Sequence, residues 1–219
     1  MTRHDVDNKW AARFVTLWER CHVNADRSDP LLVHASLCMH YEEASRRYHT
    51  LEHVRHCLRE FDAARPADDV ADAVEMALWF HDVIFVPGAQ DNEQLSADFF
   101  RALADGALPM RLVDDVQRMV MATTHRHPPQ DRAEAWVVDV DLSSFGLPWP
   151  IFLRDSRHVR EEMAALCDDD YYAAHRRLLR GLCTRKRIFT TEVFHARYEQ
   201  AARDNITRLL DAYAAGTRL

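Results

Sequence analysis

Residues 77–85 read ALWFHDVIF, and the reading of this run decides the fold and the site together. Val70, Val74, Ala77, Leu78 and His81 share one helical face, so the His81 imidazole is expected to point inward with core side chains. Asp82 follows at once and brings a carboxylate into the same low-dielectric surroundings. A buried charge is costly unless it is paired or holds a metal. The doublet therefore calls for the rest of a coordination sphere.

The stretches on either side are helical in period. Trp10, Phe14, Leu17, Trp18 and Cys21 make an amphipathic stripe within 8–24. The SDP at 28–30 starts a second helix through Leu31, Leu32, Ala35, Leu37 and Met39. RRYHTLEHVRHCLREFD (46–62) carries Leu51, Val54, Leu58 and Phe61 on one face and ends before Pro66. ADDV at 67–70 supplies carboxylates to the start of the helix that leads into His81. Beyond Pro87-Gly88, further helices are expected over 92–106 with a glycine stop and over 110–125, where HRHPP breaks the chain. AWVVDVDLSSFG (135–146) has strand-like valines, but it is short and no partner strand is evident, so it reads as a buried helix. Helices over 150–167, 169–183 and 191–215 follow, the last with Thr190-Thr191-Glu192 as its cap signal. The expectation is an all-α bundle of about nine or ten helices.

Composition agrees with that class. The 219 residues contain only 5 glycines, whereas hairpins and bulges consume glycine. No Ser/Gly-rich or Pro-rich linker divides the chain, so residues 1–219 are expected to form a single domain. A net charge of −7 disfavours nucleic acid as the main partner. The polar start MTRHDVDNKW and the lack of a long apolar run point to a cytoplasmic protein with no signal peptide and no membrane span. The 5 cysteines are dispersed without a C-x-x-C and read as reduced, mostly buried thiols; none stands out as a nucleophile.

Two further stretches can accompany His81 and Asp82. In Tyr48-His49-Thr50-Leu51-Glu52-His53 the histidines are four apart, and on a helix such residues address one small volume. Either could be the ligand. In Asp139-Val140-Asp141-Leu142-Ser143 two carboxylates lie in an apolar run, and either could complete the site. Two imidazoles and two carboxylates form a mixed N/O set that suits an octahedral divalent ion and leaves positions for water. Such a centre can acidify water to hydroxide and neutralise charge building on phosphoryl oxygens.

The order His…His-Asp…Asp across a helical chain resembles the HD-domain superfamily of metal-dependent phosphohydrolases. The motif-bearing core spans about residues 46–146. The chain is similar throughout to a bacterial subfamily of HD-type hydrolases of unestablished substrate, through Tyr48 to His53, Trp79 to Asp82, Asn92 to Ala97, Thr123 to His125 and Asp139 to Leu142. A more distant similarity to cyclic-nucleotide phosphodiesterases implies roles. By that resemblance His53, His81, Asp82 and Asp141 are ligands, His49 is the general acid, and Asp82 can bridge to a second ion. The implied cofactor is a divalent metal (Mn, Fe, Co, Ni, Mg or Zn). The implied partner is a small phosphorylated substrate, a nucleotide among the candidates, with a homodimer left open. The chain departs from the phosphodiesterase pattern in three ways: Thr50 replaces an asparagine, Phe85 replaces a histidine four residues after His81, and no purine-reading glutamine can be placed.

Other residues have two readings each. Asn92 and Glu93 either hold water or a second ion, or simply open a helix. His125 either reaches the site or sits on the surface before two prolines. Asp139, if not a ligand, orients one. Arg46 and Arg47 are placed to meet an anionic substrate. The run from Arg176 to Arg187 steers anions or balances Asp168 to Asp170 on a solvated face. The rival to an enzyme is a non-catalytic HD scaffold that binds a metal or nucleotide as a sensing or interaction module.

Overall fold

A computed structural model describes residues 3–64 and 68–219. Among them are ten α-helices and no strand: α1 (Arg3–Cys21), α2 (Pro30–Tyr41), α3 (Leu51–Ala64), α4 (Asp68–Phe80), α5 (Asn92–Ala104), α6 (Met110–Ala122), α7 (Arg132–Leu142), α8 (Trp149–Glu162), α9 (Asp168–Thr184) and α10 (Glu192–Ala214). Short 3-10 turns at Ala25–Arg27 and Ser143–Gly146 link α1 to α2 and α7 to α8. The all-α expectation holds, the ambiguous 135–146 included. Pro66 and Ala67, expected at the stop of α3 and the start of α4, lie outside the described residues. No helix among the described residues is long and apolar enough to cross a membrane.

Local chemistry sets several boundaries. Asp29 Oδ1 accepts the Leu31 amide at 2.8 Å, and Pro30 follows at the first helical position, which starts α2. Asp131 Oδ1 accepts the Glu134 amide at 2.9 Å, while Glu134 reaches back to the Gln130 amide at 2.7 Å and starts α7. Gly106, at φ +68°, stops the chain after α5 as expected.

Helix α4 is the axis of the bundle, packed by α1, α3, α5, α6 and α7. Every side chain from Met76 to Phe80 is fully buried. A helix apolar on all sides belongs in a core. Phe14 and Trp18 of α1, with Phe100 of α5, close on Trp79 and Phe80 in tilted and edge-on ring contacts. Helix α7 is buried from Trp136 to Val140 and packs on α4. Both core helices end next to one another, so Asp82 just past α4 and Asp141 in the last turn of α7 meet. Each helix also turns its negative C-terminal end toward that place, which favours a cation there.

The turn after α7 is held down by α10. Asn205 Nδ2 donates to the carbonyls of Phe145 and Leu147, both at 2.8 Å. A Cβ on Gly146 would meet Tyr198 Cβ and Cδ1 at 2.6 Å. Gly146→Ala is therefore expected to destabilise the protein by about 2–3 kcal/mol. Thermal unfolding would then fall by about 4–12 °C. An unchanged melting temperature would contradict this close approach.

Candidate metal centre

Helix α3 begins at Leu51, so His49 precedes the helix and the two histidines do not share a helical face. Helical spacing does not pair them. They meet because the bend at 46–50 folds back on α3, leaving the two rings 6.3 Å apart. The cause of the bend is a residue the sequence reading did not select. Glu162, buried at the end of α8, accepts the amides of Arg47, Tyr48 and His49 on Oε1 at 2.7, 2.8 and 2.9 Å. Three amides given to one carboxylate are withdrawn from a helical ladder. The other oxygen, Oε2, lies 2.6 Å from His49 Nδ1.

His53, His81, Asp82 and Asp141 converge. His53 Nε2 is 3.2 Å from both His81 Nε2 and Asp141 Oδ1. Asp82 Oδ2 is 3.0 Å from His81 Nε2 and 3.5 Å from His53 Nε2. His81 Nε2 and Asp141 Oδ1 are 3.6 Å apart. These are the spacings of donors around one ion: bonds of about 2.0–2.2 Å place neighbouring donors roughly 3.0–3.6 Å apart. Cys57, one turn after His53, also joins: one donor atom each from His53, Cys57, His81 and Asp141 lie within 4.8 Å of one another. This buried His/Cys/His/Asp cluster can hold a metal ion. Its signal in the sequence was the i, i+4 spacing of His53 and Cys57, obscured by starting the helix too early.

The surroundings prepare the donors. His81 Nδ1 donates to the Leu78 carbonyl at 3.0 Å, which leaves Nε2 as the nitrogen facing the cluster. His125 Nε2 binds Asp141 Oδ2 at 2.9 Å, so His125 does reach the site and holds the carboxylate whose other oxygen faces His53. The His125 backbone is left-handed, at φ +53°. That conformation costs a non-glycine residue about 1–3 kcal/mol, and here it turns the ring back toward Asp141. Arg185 donates to the His125 carbonyl and supports the bend, which places one member of the basic run beside the site.

Exposure separates floor from rim. The side chains of His53 and His81 are 2% and 1% exposed, whereas His49, Asp82, Asp141 and His125 are 18%, 19%, 16% and 13% exposed. His49, the two carboxylates and His125 therefore form the more exposed edge of the cluster. Electrostatics agree with a cation-seeking site. Burial alone would raise the Asp82 and Asp141 pKa values, but His81 and His49 at Asp82, and His125, His53 and His81 at Asp141, hold both well below the usual carboxylate range. For His49 and His81 burial opposes protonation, yet Asp82, joined by Glu162 or Asp141, outweighs it and raises both.

Four expected site residues have other duties. Arg46 is turned inward: its guanidinium is buried and donates to the carbonyls of His49, Asp82 and Val83 at 2.9, 2.7 and 2.7 Å. It ties the two motif-bearing turns together. Asp139 neither binds the cluster nor orients a ligand. Its oxygens accept the amides of Thr190 and Thr191 at 3.0 and 2.6 Å and the Thr191 hydroxyl at 2.7 Å, and so seat the start of α10 on α7. The Thr191 side chain makes no cap bond of its own. Asn92 is a latch: Oδ1 accepts the Val86 amide at 2.8 Å and Nδ2 donates to its carbonyl at 3.0 Å. Glu93, half-buried beside it in the first turn of α5, suits a helix start and lies outside the donor cluster. Phe85, where the phosphodiesterase pattern has a histidine, stacks on His49 with ring centres 4.2 Å apart and limits how that ring can turn.

A cavity of about 550 Å³ opens against Tyr48 and His53 and carries Arg47, Arg59, Arg154 and His158 on its walls. No known protein family, curated protein or solved structure matches this chain.

Proposed function

We propose that the protein is an HD-type, metal-dependent phosphohydrolase acting on a phosphoester or phosphoanhydride of a nucleotide or small phosphorylated metabolite. The observation that carries this reading is that Asp82 and Asp141 each lie at ligand spacing from both the His53 and His81 imidazoles, in the order His…His-Asp…Asp, among described residues that are all helical or loop. A divalent ion held by these donors would supply Lewis acidity to a phosphoryl oxygen and acidify the attacking water. The chain's own residues do the rest. Glu162 fixes the His49 ring through Nδ1 and helps it keep a proton to higher pH than a free imidazole. That proton, at Nε2, passes to the leaving oxygen. Phe85 holds the ring plane against rotation. The cavity against Tyr48 and His53, with Arg47 and Arg59 on its walls, would receive the anionic substrate.

The test is a matrix of metals and substrates. Chelator-stripped protein is reloaded with Mn, Fe, Co, Ni, Mg or Zn and offered mono-, di- and cyclic nucleotides and simple phosphoesters. At least one ion is expected to raise the melting temperature and to support release of phosphate or of a nucleoside phosphate. Failure to bind any of these ions would overturn the proposal. Binding without turnover of any substrate would favour the sensing module.

A further inference from the structure

We propose that the substrate of this centre carries a second anionic group, remote from the phosphoryl group at the ion, and that the cavity between α3 and α8 binds that group through Arg59. The inference rests on the phosphohydrolase reading. It narrows the substrate class from phosphorylated metabolites at large to organic bisphosphates and phosphorylated carboxylates.

The cavity of about 550 Å³ falls in the size range of small-ligand sites. One wall is α3, with Glu52, His53 and Arg59, and the other is α8, with Ile151, Arg154 and Asp155. Its carboxylates are already matched. Glu52 accepts from Arg55 at 2.6 Å, and Asp155 accepts from Arg154 at 2.9 and 2.7 Å. Two lining guanidinium groups are left over. Arg47 donates to the carbonyls of Ala44 and Arg46 at 2.6 and 2.8 Å, and neither it nor Arg59 pairs with a carboxylate among the described residues. Surplus positive charge in a cavity of a chain whose net charge is −7 selects anions.

Position decides how the two charges are used. Arg47 adjoins Tyr48, whose ring centre lies 4.8 Å from that of His53. Arg59 stands nearly two turns beyond His53 on α3, about 9 Å along the helix axis. A lone phosphoryl group at the ion does not extend over that length, whereas a second phosphate or carboxylate several bonds away does. The planar fork of a guanidinium suits either anion through two parallel N–H donors. Leu147 and Ile151 add an apolar wall for the carbon body that joins the two anionic ends. A simple monoester or a cyclic mononucleotide has no group to place on Arg59.

Phosphonates, which the centre cannot hydrolyse, test this by binding alone. The full chain, loaded with the divalent ion it holds most tightly, is titrated calorimetrically with hexylphosphonate, hexane-1,6-bisphosphonate and propane-1,3-bisphosphonate. The first has one anionic end, the second has two at a separation that matches the cavity, and the third has the same charge on a body too short to reach. The long bisphosphonate is expected to bind about tenfold more tightly than either of the others, the gain from one further charge-assisted contact. In Arg59→Gln that advantage should vanish while hexylphosphonate binds as before. Arg59 is exposed, so the substitution leaves the core intact and the melting temperature should not move. Equal affinity for the two bisphosphonates would reduce the effect to net charge and overturn the proposal. Weakening of hexylphosphonate by Arg59→Gln would assign Arg59 to the phosphoryl group at the ion and overturn it as well. So would binding of the long bisphosphonate that is as tight in chelator-stripped protein, because the cavity would then be independent of the centre. If hexylphosphonate binds the loaded protein and the long bisphosphonate binds no better, only this proposal falls. If neither binds, the phosphohydrolase reading falls with it.

Discussion

Asp82→Ala is expected to lower metal-dependent hydrolysis by about 10³-fold, the size of loss seen when a group stabilising transition-state charge is removed. Asp82 is the rim carboxylate nearest His81, at 3.0 Å from its Nε2, and lies 3.5 Å from His53 Nε2. Without it an ion would keep the two histidines and Asp141 but lose one of the two carboxylates on the exposed edge. A fall in metal affinity of at least about tenfold should accompany the loss. Chelator competition and the hydrolysis assay, run on the same preparation, measure the two effects separately. Hydrolysis that survives the substitution would belong to a contaminant or another site. The metal-free protein should respond as well. Asp82 is held well below the usual carboxylate range, so its ionised form stabilises the fold above that range and the contribution is lost as pH falls. The variant lacks that contribution, and its stability should depend less on pH in the acid limb.

What could be read from residues alone follows what each residue's neighbours in sequence determine. Helix α4 was legible because an apolar run at helical period has one good destination, the core, and His81 was carried inward with it. Residue type and spacing brought the three stretches together but left His49 against His53 and Asp139 against Asp141 open; the choice of His53, His81, Asp82 and Asp141 came from the resemblance. Glu162 was not: it acts on residues 113 to 115 positions away, and nothing in WPIFLRDSRHVREE sets it apart from Glu161. The three amides it accepts also explain why α3 starts later than its apolar period suggested. Arg46, Asp139 and Asn92 misled for a shared reason. Each is a polar side chain in a motif-rich stretch, and each is used to satisfy backbone carbonyls or amides at turns and helix starts. A sequence shows the charge but not which backbone groups lack partners. Cys57 is the converse case: it packs in the core as expected, and its place one turn after His53, in a cluster that could hold a metal, shows only once the start of α3 is known.

Glu162→Gln is the substitution that best separates acid catalysis from metal binding, because Glu162 touches His49 and the 47–49 amides while standing outside the donor set. An amide oxygen can still accept backbone N–H groups, so the bend should persist, with a loss of thermal stability smaller than that of Glu162→Ala. The amide cannot match a carboxylate as partner to a protonated imidazole at 2.6 Å. Two consequences follow. The first is a loss in kcat of about 10²–10³-fold, the range for removing an effective general acid. The second is a shift in pH dependence. As the proposed general acid His49 would have to carry its proton, so activity is expected to fall as pH rises through its pKa. Burial lowers that pKa and Asp82 and Glu162 raise it; without the Glu162 charge it falls, and the alkaline limb of the kcat profile should move to lower pH. The leaving group supplies the control. A p-nitrophenyl ester departs without protonation and should lose little, whereas an alkyl or nucleoside ester should lose most of its rate. If both substrates slow equally and the alkaline limb does not move, Glu162 is only a clamp on the bend and His49 is not the acid. If metal affinity stays at the wild-type value while the alkyl ester slows and the limb shifts, proton donation through the Glu162–His49 pair is a function separable from the ion that His53, His81, Asp82 and Asp141 would hold.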